Sequence, residues 1–127
     1  MQVELDYNDP SRAVTLSAVV DFCMKLVGDR AKDEELTALE EWAVSALPSD
    51  YQQLRIPGFG PAGFQYLRML FGANTTKPDT HIRQYVTEAL NRSVGDLESV
   101  SLLEAACRRL GILARDADTN IWEARAR

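Results

Sequence analysis

The stretch Ile56-Pro57-Gly58-Phe59-Gly60-Pro61 constrains the fold more than any other part of this sequence. Pro57 disfavours helical angles at Ile56, so a helix that approaches from the N-terminal side has to end there. The two glycines, one residue apart, permit a tight reversal of the backbone. Pro61 suits the first turn of a following helix, where no N–H donor is needed. The stretch therefore predicts a turn between two helices.

Apolar residues recur every three or four positions on both sides of this turn, which is the spacing of helices that bury one face. Residues 1–9 are predicted as an irregular arm, and no later segment shows the alternation of a strand. We predict a single all-α domain over residues 1–127, a compact bundle of about six or seven helices. The predicted helices cover approximately residues 10–27, 33–47, 50–54, 61–71, 80–90, 101–110 and 116 onward.

Polar residues at the starts of two of these segments predict helix caps. Asp79 or Thr80 precedes the fifth apolar pattern and is a typical N-cap. Ser101 and Glu104 have the spacing of a capping box, so the sixth helix is predicted to begin there. Residues 91–99 are then expected to form a polar connection.

The charge is acidic overall and unevenly distributed. The net charge is −5, with −7 over residues 1–52 and +2 over residues 53–127. A globally acidic protein is a poor non-specific nucleic-acid binder, because neutralisation of phosphates drives such binding. Two interpretations of the basic residues near the turn are kept: a local basic surface around the turn, and an ordinary solvated face. The basic residues near the turn are Arg55, Arg68, Lys77, Arg83 and Arg92.

Cys23 and Cys107 lie among apolar neighbours, which favours buried thiols in a reducing compartment, with a disulfide or metal pair as the alternative. No apolar run approaches the ~20 residues that span a bilayer. The N-terminus lacks a basic region followed by an apolar block, so a signal peptide is not expected. We therefore expect a cytoplasmic protein without a membrane partner.

Three runs of residues match a known arrangement. Residues 54–61 read Leu-Arg-Ile-Pro-Gly-Phe-Gly-Pro, the next helical pattern ends at Phe71-Gly72, and residues 78–82 read Pro-Asp-Thr-His-Ile. This arrangement resembles the helix-hairpin-helix (HhH-GPD) domain of the DNA glycosylase superfamily, which includes endonuclease III. Residues 118–122, Asp-Thr-Asn-Ile-Trp, resemble a C-terminal pattern of uncharacterised proteins with this domain. The motif would occupy about 50–72 and the Asp-opened helix about 79–90.

The resemblance implies a DNA-backbone site at the turn, where backbone N–H groups face a phosphate. The matching positions and adjacent basic side chains are Gly58, Phe59, Gly60, Ala62, Arg55 and Lys77. The family also often binds a monovalent cation, Na⁺ or K⁺, through carbonyls that correspond to Leu54, Ile56 and Phe59. No other cofactor is expected. The alternative is that the turn only joins two helices.

Asp79 corresponds to the catalytic aspartate of the family. There the carboxylate stabilises the oxocarbenium-like sugar as a flipped base is released, or activates the incoming water. A helix cap is the alternative for Asp79, and the two roles are compatible. His81 is expected to be structural. Bifunctional members carry a nucleophilic lysine where this chain has Ala62, so lyase chemistry is not expected.

Three functions are therefore considered. The first is a DNA-binding protein that resembles base-excision glycosylases, including a monofunctional glycosylase that uses Asp79. The second is a non-catalytic glycosylase-like module for protein–protein association or dimerisation, because so short a domain would leave apolar surface uncovered. The third is a helical regulator unrelated to DNA. The candidate partners are duplex DNA, a second copy of the chain and another protein.

Overall fold

The computed structural model describes residues 10–125, and the arm predicted over residues 1–9 lies outside the described residues. Every regular element between residues 10 and 125 is helical, so the predicted all-α class is confirmed. Short 3-10 helices, Lys32–Glu34 and Pro48–Asp50, precede the second and third α-helices. The α-helices are α1 Pro10–Val27, α2 Glu35–Ser45, α3 Tyr51–Leu54, α4 Pro61–Leu70, α5 Thr80–Leu90, α6 Asp96–Leu110 and α7 Ala114–Arg125. Within the described range, no helix combines the length and apolar character needed to cross a membrane.

The central turn lies where the sequence predicts it. It is closed by the N–H of Phe59, which donates to the carbonyl of Ile56 at 3.1 Å. Arg55 has a positive φ of 52°, which ends α3 after a single four-residue turn. The stretch is a turn between α3 and α4, and no helix-hairpin-helix motif is identified in it.

The start of the sixth helix differs from the prediction. α6 begins at Asp96, so Ser101 and Glu104 lie inside the helix and do not cap it. The predicted polar connection over residues 91–99 already includes the first turn of α6. Ser99 and Val100 are both completely buried, so the buried side of α6 begins within the predicted polar connection.

The C-terminal helices α5, α6 and α7 pack against one another around their own apolar cluster. The buried members of this cluster are Ile82, Val86, Val94, Leu103, Cys107 and Ala114. Both guanidinium Nη atoms of Arg125 on α7 donate to the Glu88 carboxylate on α5, at 2.7 and 2.8 Å. This pairing holds the pKa of Glu88 below its ordinary value.

The N-terminal helices are joined by aromatic contacts. Phe64 on α4 is completely buried and makes an edge-to-face contact with Trp42 on α2, with ring centroids 5.7 Å apart. Trp42 contacts Phe22 of α1 in the same way, at 5.2 Å. Phe59 of the turn contacts the other side of Phe64, at 6.4 Å. The turn is therefore anchored to the core by Phe59.

Helix α1 is much less buried than its apolar pattern predicts. Among residues 11–27 none is fully buried, and Leu16 and Val20, which follow the three- and four-residue apolar spacing of this helix, are exposed. Cys23 is half-buried and Cys107 is buried, and both are free thiols. Burial raises the pKa of both thiols, and the charge of Glu104 contributes at Cys107.

Helix α4 carries two buried polar residues. Gln65 donates through Nε2 to the hydroxyl of Thr75 at 2.8 Å and to the carbonyl of Thr76 at 2.9 Å. Its Oε1 accepts from Arg68 at 2.7 Å, and Arg68 Nε donates to the Ala43 carbonyl at 2.9 Å. These bonds fasten the loop after α4 to both α4 and α2.

The charge of Arg68 is not left isolated in this network. Burial lowers the pKa of Arg68, and the negative charges of Glu104 and Asp50 oppose that shift. Glu104 also accepts a hydrogen bond from the Thr75 hydroxyl at 2.9 Å. Polar groups of α4, α6 and the loop thus satisfy one another away from water, as buried polar groups require.

Gln65→Ala is expected to lower the free energy of unfolding by about 3 kcal/mol, because it removes the partner of Arg68 Nη1 and the donor to the buried Thr76 carbonyl. Gln84→Ala is the matched control, since Gln84 is exposed on α5, and its effect is expected within about 0.5 kcal/mol. Urea denaturation followed by circular dichroism measures both. Equal effects of the two substitutions would contradict the role of the Gln65 network.

Candidate functional site

Asp118 on α7 binds the loop between α4 and α5. Its side chain is 1% exposed. One carboxylate oxygen accepts from the Thr76 hydroxyl at 2.6 Å and from the backbone N–H of Lys77 at 3.0 Å. The other oxygen binds the Lys77 ammonium. We call Thr76, Lys77, Asp79 and Asp118 the Asp118 cluster.

Asp79, the predicted catalytic residue, is the N-cap of α5. Its Oδ1 accepts from the backbone N–H of Ile82 at 2.9 Å. Its Oδ2 lies 3.8 Å from the Lys77 ammonium, and the side chain is 22% exposed. The helix-cap prediction is therefore confirmed, and one oxygen of the carboxylate is not used by the cap.

Lys77 lies between two carboxylates, so its position differs from that of a free surface cation. Its ammonium binds Asp118 and faces Asp79, and its side chain is 19% exposed. A phosphate at Lys77 would have to compete with the buried Asp118 carboxylate. The DNA contact predicted for Lys77 stays a prediction, whereas its role in the Asp118 cluster is direct.

His81 follows Asp79 on the first turn of α5 and contacts α7. Its ring meets that of Trp122 edge to face, with centroids 5.9 Å apart. Trp122 belongs to the C-terminal sequence pattern that also contains Asp118. Both members of that pattern therefore hold the start of α5, one through the preceding loop and the other through His81.

The turn is covered on one side by α1. The Thr15 hydroxyl donates to the Pro57 carbonyl at 2.6 Å. A Cβ atom at Gly58 would lie 2.9 Å from the Thr15 oxygen, and Gly58 has a φ of +76°. Glycine is thus required at this position both by the backbone and by the close approach of α1.

The other side of the turn is open at the start of α4. Gly60 is the N-cap in extended conformation, no side chain caps the helix, and Pro61 follows. A Cβ atom at Gly60 would meet nothing within 4 Å. The first N–H groups of a helix have no intrahelical acceptor, so those of Ala62 and Gly63 are directed out of the N-terminus of α4.

The cation predicted at the turn would use the carbonyls of Leu54, Ile56 and Phe59. The Ile56 carbonyl already accepts the bond that closes the turn, which leaves it one lone pair. Among residues 10–125, no group of three or more His, Cys, Asp or Glu side chains is arranged to hold a metal ion. The carbonyl site therefore stays a prediction.

Two apolar grooves run beside α1. The first, of about 690 Å³, lies between α1, the turn and α4. The second, of about 390 Å³, lies where α1 meets α2. Val19 and Leu67 line both grooves, so the two are continuous.

Sequence reasoning did not identify the polar side chains that hold the loop between α4 and α5. Gln65, Thr75 and Thr76 were assigned no role, although Gln65 is a polar residue directly beside Phe64 in an apolar stripe. Asp118 was noted only as part of a C-terminal pattern. The sequence feature that could have indicated these contacts is the polar Gln65 inside a buried apolar stripe, since a buried polar residue needs hydrogen-bond partners.

Asp118→Asn is expected to lower the free energy of unfolding by about 3 kcal/mol, because it removes the nearer and more buried of the two carboxylates that face the Lys77 ammonium. Asp116→Asn, on the exposed side of the same helix, is expected to change it by no more than about 0.5 kcal/mol. Chemical denaturation of the two variants checks this. A destabilisation no larger than that of Asp116→Asn would show that the cluster contributes little.

The comparisons with known proteins give one match. Neither the curated proteins nor the solved structures contain a match to this chain. A family model described as a domain of unknown function (DUF8548) matches residues 15–126, which includes α2 to α7, the turn and the Asp118 cluster. The chain therefore belongs to the DUF8548 family.

Proposed function

We propose that this protein binds the backbone of duplex DNA at the N-terminus of α4. The observation that carries the proposal is the uncapped start of this helix at Gly60, with open space around it. Such a helix end presents unpaired N–H groups and the positive end of the helix dipole. Both favour a phosphate, and such contacts position a protein on DNA without reading its sequence.

The charges around the turn support binding of modest strength. Arg55 is exposed and lies at the end of α3, directly before the turn. Lys77 is held by Asp118. With few cations available, binding depends on backbone N–H groups more than on charge neutralisation. The logarithm of affinity is then expected to fall with the logarithm of salt concentration with a slope of only about −1 to −2.

Asp79 is the proposed catalytic group. Its fixed Oδ1 orients the carboxylate, and Oδ2 is free of the cap. A carboxylate oxygen in this position can stabilise an oxocarbenium-like sugar. Ala62 offers no amine for a Schiff base. The chemistry we propose is therefore base release by a monofunctional DNA N-glycosylase.

Gly60→Asp is expected to weaken duplex binding at least about tenfold, because it sets a carboxylate where the phosphate binds. Gly60→Ala is the matched control, because a Cβ atom at Gly60 meets nothing within 4 Å and alanine has no side-chain acceptor that would cap the N–H groups of Ala62 and Gly63. Fluorescence anisotropy with a labelled duplex at about 50 mM salt measures both affinities. Equal affinities, or no binding by the unsubstituted protein, would refute the proposed DNA site.

Asp79→Asn is expected to reduce base release at least about a hundredfold. Asparagine is as good an N-cap as aspartate, so α5 should be retained, as circular dichroism can verify. Release is measured on duplexes with alkylated, oxidised, deaminated or mismatched bases. Asp96→Asn, at the start of α6, serves as the control. If the unsubstituted protein releases none of these bases, the catalytic part of the proposal fails while the DNA-binding part stands.

A second candidate function is protein–protein association through α1 and α4. The observation that favours it is the set of exposed apolar side chains beside the two grooves. Large contiguous apolar surfaces on a folded protein mark interaction sites. This function is tested separately from DNA binding, although the first groove includes Gly58, Phe59 and Gly63 beside the N-terminus of α4.

A further inference from the structure

The outer side of α1 carries a continuous apolar strip. Leu16, Val20 and Met24 are spaced four residues apart, which places them along one ridge of the helix. They are 52%, 48% and 65% exposed. The small residues Ala13 and Ser17 flank the ridge and are exposed as well. We call these five residues the α1 strip.

The α1 strip continues into α4 across the grooves. Leu16 and the exposed Tyr66 and Leu70 line the first groove, and Val20 and Met24 line the second. Leu16, Val20, Met24, Tyr66 and Leu70 are thus five large exposed apolar side chains around the two grooves. Such a patch is on the order of 500 Å², at the upper end of what monomers expose.

The extent of this face fits the need of a homodimer. A standard interface buries about 800 Å² per partner, and homodimer interfaces are about 65% apolar. The apolar requirement is therefore about 500 Å² per copy, which matches the patch. No charged residue belongs to the α1 strip, so two strips can meet without burying like charges.

The α1 strip is also complementary to itself. Leu16 and Met24 are equidistant from Val20 along the helix. In an antiparallel pair of α1 helices with a two-fold axis at Val20, each Leu16 lies opposite Met24 of the second copy. Val20 then packs against its own symmetry mate, and the strip satisfies the condition for an isologous interface.

We propose that the α1 strip binds a second copy of this chain, with the two α1 helices antiparallel about Val20. This assignment rests on the association function and is independent of the DNA proposal. Met24 of the second copy would then approach the first groove beside Leu16. The helix that is least buried in one chain becomes the centre of the dimer.

Val20→Asp is expected to convert the dimer into a monomer, because the two-fold axis would bring two carboxylates together. Sedimentation velocity at about 1 to 100 µM protein covers the usual range of homodimer affinities. Val44→Asp is the matched control, since Val44 on α2 is 69% exposed and lies outside the α1 strip. Circular dichroism verifies that both variants keep their helix content.

Cysteine substitution tests the orientation in a background with Cys23→Ser and Cys107→Ser. Val20→Cys is expected to form a disulfide-linked dimer under mild oxidation, whereas Val44→Cys is not. Leu16→Cys mixed with Met24→Cys is expected to give the mixed disulfide in preference to either self-linked pair, as the antiparallel arrangement requires.

The outcomes separate the inference from the broader function. A chain that is monomeric throughout the concentration range overturns the second-copy assignment. A dimer that Val20→Asp leaves intact, or that cross-links through Val44→Cys instead, overturns the assignment to α1 but keeps association. Preferred self-linking of Leu16→Cys overturns the antiparallel orientation. None of these results affects the comparison of Gly60→Asp with Gly60→Ala.

Discussion

The loop between α4 and α5 is held by buried polar groups, and the positions of the surrounding helices depend on it. Gln65 binds this loop from α4 and Asp118 binds it from α7. Each of these polar side chains would be costly to bury without a partner, so the hydrogen bonds to the loop are expected to form cooperatively. Neighbouring Thr75 and Thr76 thereby connect the N-terminal helices to the C-terminal cluster.

This constraint also determines what the candidate site can do. Asp79 is the last residue of the loop, so its carboxylate is placed by its own helix and, through Lys77, by Asp118 of α7. The same bonds withdraw Lys77 from solvent. An anion site near the turn must therefore rely on the N-terminus of α4 and on Arg55. The proposed chemistry needs only the oxygen of Asp79 that the cap leaves unused.

Burial is distributed unequally between the two halves of the chain. The C-terminal helices enclose their own apolar cluster, and α4 contributes the completely buried Phe64. Helix α1 has an apolar sequence but no fully buried residue between 11 and 27. An apolar helix gains free energy only from surface that it removes from water. A second chain that covers the exposed α1 strip would therefore gain free energy by removing this apolar surface from water.

The sequence by itself determined the helical class, the turn at Pro57-Gly58, the start of α4 at Pro61 and a cap at Asp79 or Thr80. These features follow from local angles, apolar spacing and capping, which act within a few residues. The start of α6, the exposure of Leu16 and the partners of Asp118 depended on the tertiary structure. Periodicity marks an apolar face but does not say what covers it, and a buried polar side chain does not name a partner about 40 residues away. Only the packing of α7 against the loop decided that Lys77 and Asp79 lie together in the Asp118 cluster.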